Sequence, residues 1–273
     1  MAYATLLLYV DADGTPEQRV RLAANVADKF TARLIGFSAL AIRPPLVAEG
    51  VVIQEMTEPD IKERKAKLTD KEKWFRKLVG AEHRKLEWRS AMDFPTDALA
   101  REARSADLIV IGRSTRPWDA YSSLDLGGAV LKVGRPVLVV PEGVGSLRAQ
   151  HVVIGWKDTR EARRAVQDAL PFLHEADTVA IVEIYESDTT DAAQEHIDDV
   201  AHYLGQHKIK AGPKITLRRK GSDAAQLIRV AQDAGADLLV AGAYGHSRLG
   251  EWFFGGVTRE LLASSPICCL MSH

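Results

Sequence analysis

A seven-residue run that occurs twice limits this chain more than any other feature. Ala106-Asp107-Leu108-Ile109-Val110-Ile111-Gly112 returns as Ala236-Asp237-Leu238-Leu239-Val240-Ala241-Gly242. The offset that carries Gly112 onto Gly242 also carries Arg135-Pro136-Val137-Leu138-Val139-Val140 onto Ser265-Pro266-Ile267-Cys268-Cys269-Leu270. Self-similarity at one fixed spacing means that one structural unit has been written twice. The units also open alike: the apolar runs at 5–10 (TLLLYV) and 151–156 (HVVIGW) lead through a polar turn into an amphipathic helix.

Each unit then alternates between two periods. Helical spacing covers 16–32 and 159–174, where Ala162, Ala165, Val166, Ala169 and Leu170 share one face. Apolar runs at 34–40 and 178–184 supply second strands, and helices are expected at 59–78 and 190–206. Third strands are expected at 86–91 and 215–220, followed by helices at 95–105 and 223–234 that lead into the repeated strand. Strands alternating with helices make a parallel sheet covered on both faces, and the almost unbroken apolar repeat suits a strand buried on both sides. Pro136 and Pro266 open the last strands, where a missing N–H is tolerated. The expected fold class is α/β: two tandem, doubly wound domains of five parallel strands, at residues 1–141 and 151–273. The segment 142–150 (EGVGSLRAQ), with two glycines and mostly polar residues, suits a short linker.

Composition narrows the function classes. The length of 273 residues fits two mid-sized domains, and 46% apolar residues suffice for a core in each. A net charge of −1 gives no field that would draw the chain to nucleic acid or to an anionic membrane, so any polyanion site must be local. The Lys and Arg of 62–85 are interleaved with Asp and Glu at helical spacing and read as a solvated helix face. Cys268 and Cys269 are adjacent on a strand, where they point to opposite faces and cannot easily bridge. The first residues form a run too short for a signal peptide or a membrane span, and a reducing, cytoplasmic location without a membrane partner is expected. His196 and His202 do not share a helix face well enough for a metal site. GxxxxGK[ST], a GxGxxG after the first strand, and GxSxG do not occur, so a P-loop ATPase, a dehydrogenase and an α/β hydrolase are not supported.

In open α/β sheets, ligands gather beyond the carboxyl ends of the strands, where helix N-termini offer free amides to anions. In the second unit the loop after the repeated strand reads Gly242-Ala243-Tyr244-Gly245, nine residues from His246 to Phe254, then Gly255-Gly256-Val257-Thr258 opening the final helix. Glycine there brings main-chain amides against a phosphate with no Cβ in the way. This G-x2-G-x9-G spacing, with the ADLIV-type strand before it and the Pro-led strand after it, resembles the ATP-binding signature of universal stress proteins. The resemblance covers essentially the whole chain as two tandem domains. It implies an adenine nucleotide alpha hydrolase-like fold, with the strands at 137–140 and 267–270 meeting as an intrachain pseudo-dimer that covers sheet edges. It also implies ATP or another adenine nucleotide as the ligand of the second domain. The nucleotide-binding candidates are Trp156, Lys157, Asp158, Gly242, Gly245, His246, Arg248, Gly255, Gly256, Val257 and Thr258. No catalytic base or nucleophile stands out, so ligand sensing is expected, with any hydrolysis slow and incidental. A weak ATPase and a nucleotide-free scaffold are the alternatives; a homodimer is compatible with the sequence, and no metal is assigned.

Several positions depart from the family pattern. Gly256 stands where the family's hydroxyl residue would meet a terminal phosphate, which removes one hydrogen bond; Thr258, His246 and Arg248 could donate instead, or the last two could face solvent. Where nucleotide-binding members carry an Asp after the first strand, this chain has Lys157, with Asp158 next. Lysine neutralises phosphate but cannot hold a divalent ion. On the other reading Lys157 is a surface residue, Asp158 and Thr159 cap the helix, and Trp156 is core rather than a stacking platform. Arg218, Arg219 and Lys220 end the third strand and either steer an anion or face solvent. The first unit keeps an acidic turn at Asp11 and Asp13. Its loop, Gly112-Arg113-Ser114-Thr115, lacks the second glycine, and eleven residues from Arg116 to Leu126 precede Gly127-Gly128. That unit is either a structural partner or a crevice for another ligand.

Overall fold

The computed structural model describes residues 2–48, 51–80, 85–113, 117–185, 190–245 and 256–273. The first half runs β1 (Thr5–Tyr9), α1 (Glu17–Lys29), β2 (Arg33–Ala39), β3 (Leu46–Ala48), β4 (Val51–Gln54), α2 (Glu58–Val79) and β5 (Leu86–Ala91). It continues with α3 (Pro95–Glu102), a 3-10 turn, β6 (Leu108–Gly112), α4 (Leu126–Lys132) and β7 (Val137–Val140). The second half runs β8 (His151–Trp156), α5 (Arg160–Leu173), β9 (Thr178–Tyr185), α6 (Thr190–Gln206) and β10 (Ala211–Leu217). It closes with α7 (Asp223–Asp233), β11 (Leu238–Gly242), α8 (Gly256–Ser264) and β12 (Cys268–Ser272).

All strands except the small β3–β4 hairpin join one ten-stranded sheet, in the order β10-β9-β8-β11-β12-β7-β6-β1-β2-β5. Within each half the neighbours are parallel. The halves meet where β12 lies antiparallel to β7, with Leu270 opposite Leu138 and Cys269 opposite Val139. Two five-stranded doubly wound sheets thus become one through their last strands. In each half the winding reverses between the first strand and the repeated strand, at β1/β6 and at β8/β11.

The inner strands are buried on both faces because helices cover both. Alternate side chains divide between two cores: Leu6, Leu8, Leu138, Val152, Ile154 and Leu270 on one side, Leu7, Ile109, Val139, Val153, Leu239 and Met271 on the other. Cys268 and Cys269, both buried and free, fall one in each core, as strand alternation requires. Both cores run through both halves. Phe30 meets Tyr3 and Phe172 edge to face with ring centroids 5.1 Å apart, Tyr3 and Phe172 are tilted at 5.5 Å, and the Tyr3 hydroxyl donates to the Asp168 carbonyl at 2.5 Å.

Three local features differ from the sequence reading. Segment 142–150 is no free tether: Leu147 and Ala149 are buried in the shared core, so the connection is packed between the halves. The third strand of the second half lies at Ala211–Leu217 rather than at 215–220. It is an edge strand, so Pro213 can enter it and few of its side chains are buried, which leaves no apolar pattern to read. Arg218, Arg219 and Lys220 consequently lie beyond the strand, not in it. The β3–β4 hairpin was not expected at all, because it stands apart from the main sheet. The long charged helix α2 is largely solvated but inserts Leu68 and Phe75 inward, and Phe75 packs on Trp88 at 5.2 Å.

Candidate functional site

The second reversal point opens into a cleft of about 220 Å³ beyond the ends of β8 and β11. Three elements build it, and glycines decide how closely they approach. A Cβ on Gly242 would lie 2.5 Å from the Ala162 nitrogen and 2.7 Å from the Glu161 carbonyl carbon, so the bare residue lets the end of β11 rest on the first turn of α5. A Cβ on Gly155 would lie 2.5 Å from Leu227 Cδ2, which sets β8 against α7. These two glycines are accounted for by packing within the fold.

Gly245 and Gly256 are different. The space beside Gly245 is bounded by Glu161 Oε2 at 3.0 Å and Thr159 Oγ1 at 3.1 Å from an imagined Cβ, while beside Gly256 none of the described residues lies within 4 Å. Gly256, Val257 and Thr258, the first turn of α8, line the cleft, where the opening amides of a helix have no partner within the helix itself. The loop before it is shaped by Tyr244, at φ 60°, whose N–H donates to the buried Thr258 hydroxyl at 3.0 Å. Thr258 therefore holds the bend that carries Gly245.

The floor is apolar, formed by Val182, Ile184, Ala241 and Leu227, and Lys157 and Arg218 stand at its rim. Arg218 donates to Asp223 at 2.7 Å. Behind Gly245, the Glu161 side chain is paired with Arg160. Burial would raise its carboxyl pKa, but hydrogen bonds from Arg160, from the backbone and from Thr159 outweigh burial and hold it below the usual carboxylate range. Thr159 caps α5 by accepting from the Ala162 N–H at 3.3 Å.

Of the residues singled out from sequence, Trp156, Lys157, Gly242, Gly245, Gly256, Val257 and Thr258 come together at this cleft. Asp158 does not line it. It pairs with Arg163 and faces a neighbouring groove between α5 and α6, beside His196 and Tyr203. Trp156 is buried between the two, and its indole N–H has no partner among the described residues. His246, Arg248 and Gly255 lie outside the described residues. Sequence reading missed the apolar floor; its one signal was the alternation that puts Val182 and Ile184 on the same face of β9. It also missed Tyr244, which no motif marks.

The first half forms its own crevice of about 200 Å³ at β1/β6, and it is built differently. The third residue of α5 is Ala162; the third residue of α1 is Arg19. The Arg19 side chain lies across Gly112, so that an imagined Cβ there would stand 1.9 Å from Nε, and Nη2 donates to the Arg113 carbonyl at 2.7 Å. Burial lowers its pKa to about 10, with Asp11 and Glu142 acting against that and Arg113 adding to it. Nothing in the sequence distinguished Arg19 from a solvated helix residue. Among the described residues no group of three or more His, Cys, Asp or Glu is placed to hold a metal ion, and no helix is long and apolar enough to cross a membrane.

Comparison with known proteins bears on the same residues. The universal stress protein family profile matches residues 148–273. No curated relative matches the chain. A universal stress protein from Archaeoglobus fulgidus superposes on 98% of this chain and 97% of its own, with a TM-score of 0.74 and 14% identity. A functionally unknown protein from Pseudomonas aeruginosa does so over 99% and 92%, with a TM-score of 0.62 and 13% identity. A universal stress protein solved in complex with cAMP covers 52% of this chain and 98% of its own, at 24% identity and a TM-score of 0.35. The sequence pattern thus lies in the second half, and the fold likeness extends over both. Residues 148–273 therefore match the universal stress protein family, and the first half repeats the strand order of that domain.

Proposed function

We propose that the second half binds an adenine nucleotide, ATP foremost, as a ligand to be sensed rather than turned over, in a cytoplasmic stress-response protein. The observation that carries this reading is the unfilled space beside Gly256, where the first turn of α8 faces the cleft. Main-chain amides at a helix start favour an anion by direct hydrogen bonds and by the helix dipole. The apolar floor of Val182, Ile184 and Leu227 suits a planar base, and Lys157 and Arg218 place positive charge near the rim. For catalysis the described lining offers little: its one carboxylate, Asp223, is engaged by Arg218.

Equilibrium titration of ligand-stripped protein with ATP, ADP and AMP, with and without Mg²⁺, tests the proposal. Saturable binding that disappears in Gly245→Val is expected, because the added side chain would crowd Thr159 and Glu161 and fill the bend. If none of the three nucleotides saturates, the nucleotide-free scaffold takes the place of this reading. Turnover well above background that is lost in the same variant would favour an ATPase.

A further inference from the structure

The crevice of the first half carries two buried donors that the fold leaves unanswered. Tyr9 Oη and Arg19 Nε have no hydrogen-bond partner among the described residues, their residues are 3% and 5% exposed, and both residues line the cavity. Buried polar groups are almost always paired, so two unpaired donors on one cavity point to an acceptor that the described residues do not supply. Arg19 also brings a positive charge, held in place by the Arg113 carbonyl. Two carboxylates, Asp11 and Asp125, line the same cavity, and like charges repel a ligand that is only anionic. The triphosphate-type recognition proposed for the second half is disfavoured here for that reason.

The volume sets the size of the occupant. About 200 Å³ holds roughly six or seven groups the size of a water molecule. Leu124 and Leu126 form an apolar wall, and Trp118, 65% exposed, stands at the mouth.

We propose that this crevice is a second, separate ligand site that takes a small zwitterion of the α-amino-acid type, its carboxylate on Arg19 and Tyr9 and its ammonium toward Asp125. A ligand that carries both charges suits the unpaired donors and the acidic lining together, which neither a simple anion nor a simple amine does. The proposal does not depend on what the second half binds.

The test is calorimetric titration of the full chain with L-leucine, L-serine and L-glutamate, beside two analogues of leucine, 4-methylpentanoate without the ammonium and 3-methylbutylamine without the carboxylate. At least one amino acid is expected to bind saturably at millimolar concentration or below, with the analogues weaker by about tenfold or more, since a site built for a polar group rejects the analogue lacking it. Arg19→Met should abolish binding, and Gly245→Val, at the other cleft, should leave it unchanged. Trp118→Ala and Asp125→Asn, both at exposed positions, give folded variants should Arg19→Met fail to fold, and each should weaken binding. Absence of saturation by all three amino acids overturns the proposal. So does equal binding of either analogue, binding that survives Arg19→Met, or indifference to both exposed substitutions.

Discussion

The Arg113 guanidinium, just past the end of β6, donates through Nη2 to the Ser265 carbonyl, just past the end of α8 in the other half, at 2.6 Å. Its Nη1 donates to the Ala263 carbonyl, also at 2.6 Å. A cation on the last carbonyls of a helix satisfies orphaned acceptors and meets the negative end of the helix dipole. The contact is answered from the other side: Tyr244 reaches α4, where its hydroxyl would stand 2.7 Å from a Cβ on Gly127. Arg113→Met keeps most of the side-chain length and removes both donors. We expect it to lower unfolding stability by about 1–3 kcal/mol, seen as a lower urea midpoint at unchanged slope. An unmoved midpoint would show that the clasp contributes nothing.

Gly242→Ala and Gly155→Ala should differ although both crowd the second cleft. The new methyl at 242 meets the backbone of Glu161 and Ala162, which can yield only if α5 moves. At 155 it meets Leu227 Cδ2, the far end of a side chain that can rotate. Overpacking against backbone should cost about 1–3 kcal/mol, and the change at 155 clearly less. Thermal or urea unfolding of the pair decides it; the reverse order would contradict the packing described.

Gly256→Ser probes the proposed anion site by addition rather than removal. A Cβ at 256 meets none of the described residues within 4 Å, so the serine should fit without loss of stability. Its hydroxyl adds one donor at the start of α8, worth about 0.5–1.5 kcal/mol, or up to about tenfold in affinity. ATP titration of variant and parent should show tighter binding in the variant; equal or weaker affinity with an unchanged melting point would speak against a phosphate at this turn.

Glu183 makes stability depend on pH. Its side chain is almost wholly buried and Oε2 has no partner among the described residues. Burial, the largest cause, raises its pKa, and the hydrogen bond and charge of His196 only partly oppose this. For an acid whose folded pKa is raised, the ionised form destabilises the native state. That penalty is complete above the folded pKa, shrinks as pH falls through it, and vanishes below the ordinary glutamate value of the unfolded chain. Glu183→Gln should therefore raise the melting temperature at mildly alkaline pH and lose that advantage as pH falls below the glutamate range. A gain independent of pH would rule out this electrostatic origin.

Much of the architecture was legible because it rests on local pattern. The repeated ADLIV-type strands and the Pro-led strands after them are apolar enough to be read as buried, and their constant offset assigns both to one unit. The edge strand β10 was misplaced for the opposite reason, since half-exposed residues around Pro213 carry no such pattern. At the cleft, the glycines could be found by spacing but not sorted by purpose. Only the close approach of α5 shows that Gly242 is bare for packing, while Gly256 faces open space.

Strand and helix periodicity, written twice, therefore determined on its own that this chain makes two α/β halves with reversal points at equivalent places, because such patterns depend on neighbours a few residues apart. What each crevice became was decided by contacts between residues far apart in the chain. Arg19 folds across Gly112, Asp158 turns toward Arg163, and Thr258 ties down Tyr244. Residue spacing along the chain carries no record of such meetings, since they depend on how helices seat on the sheet.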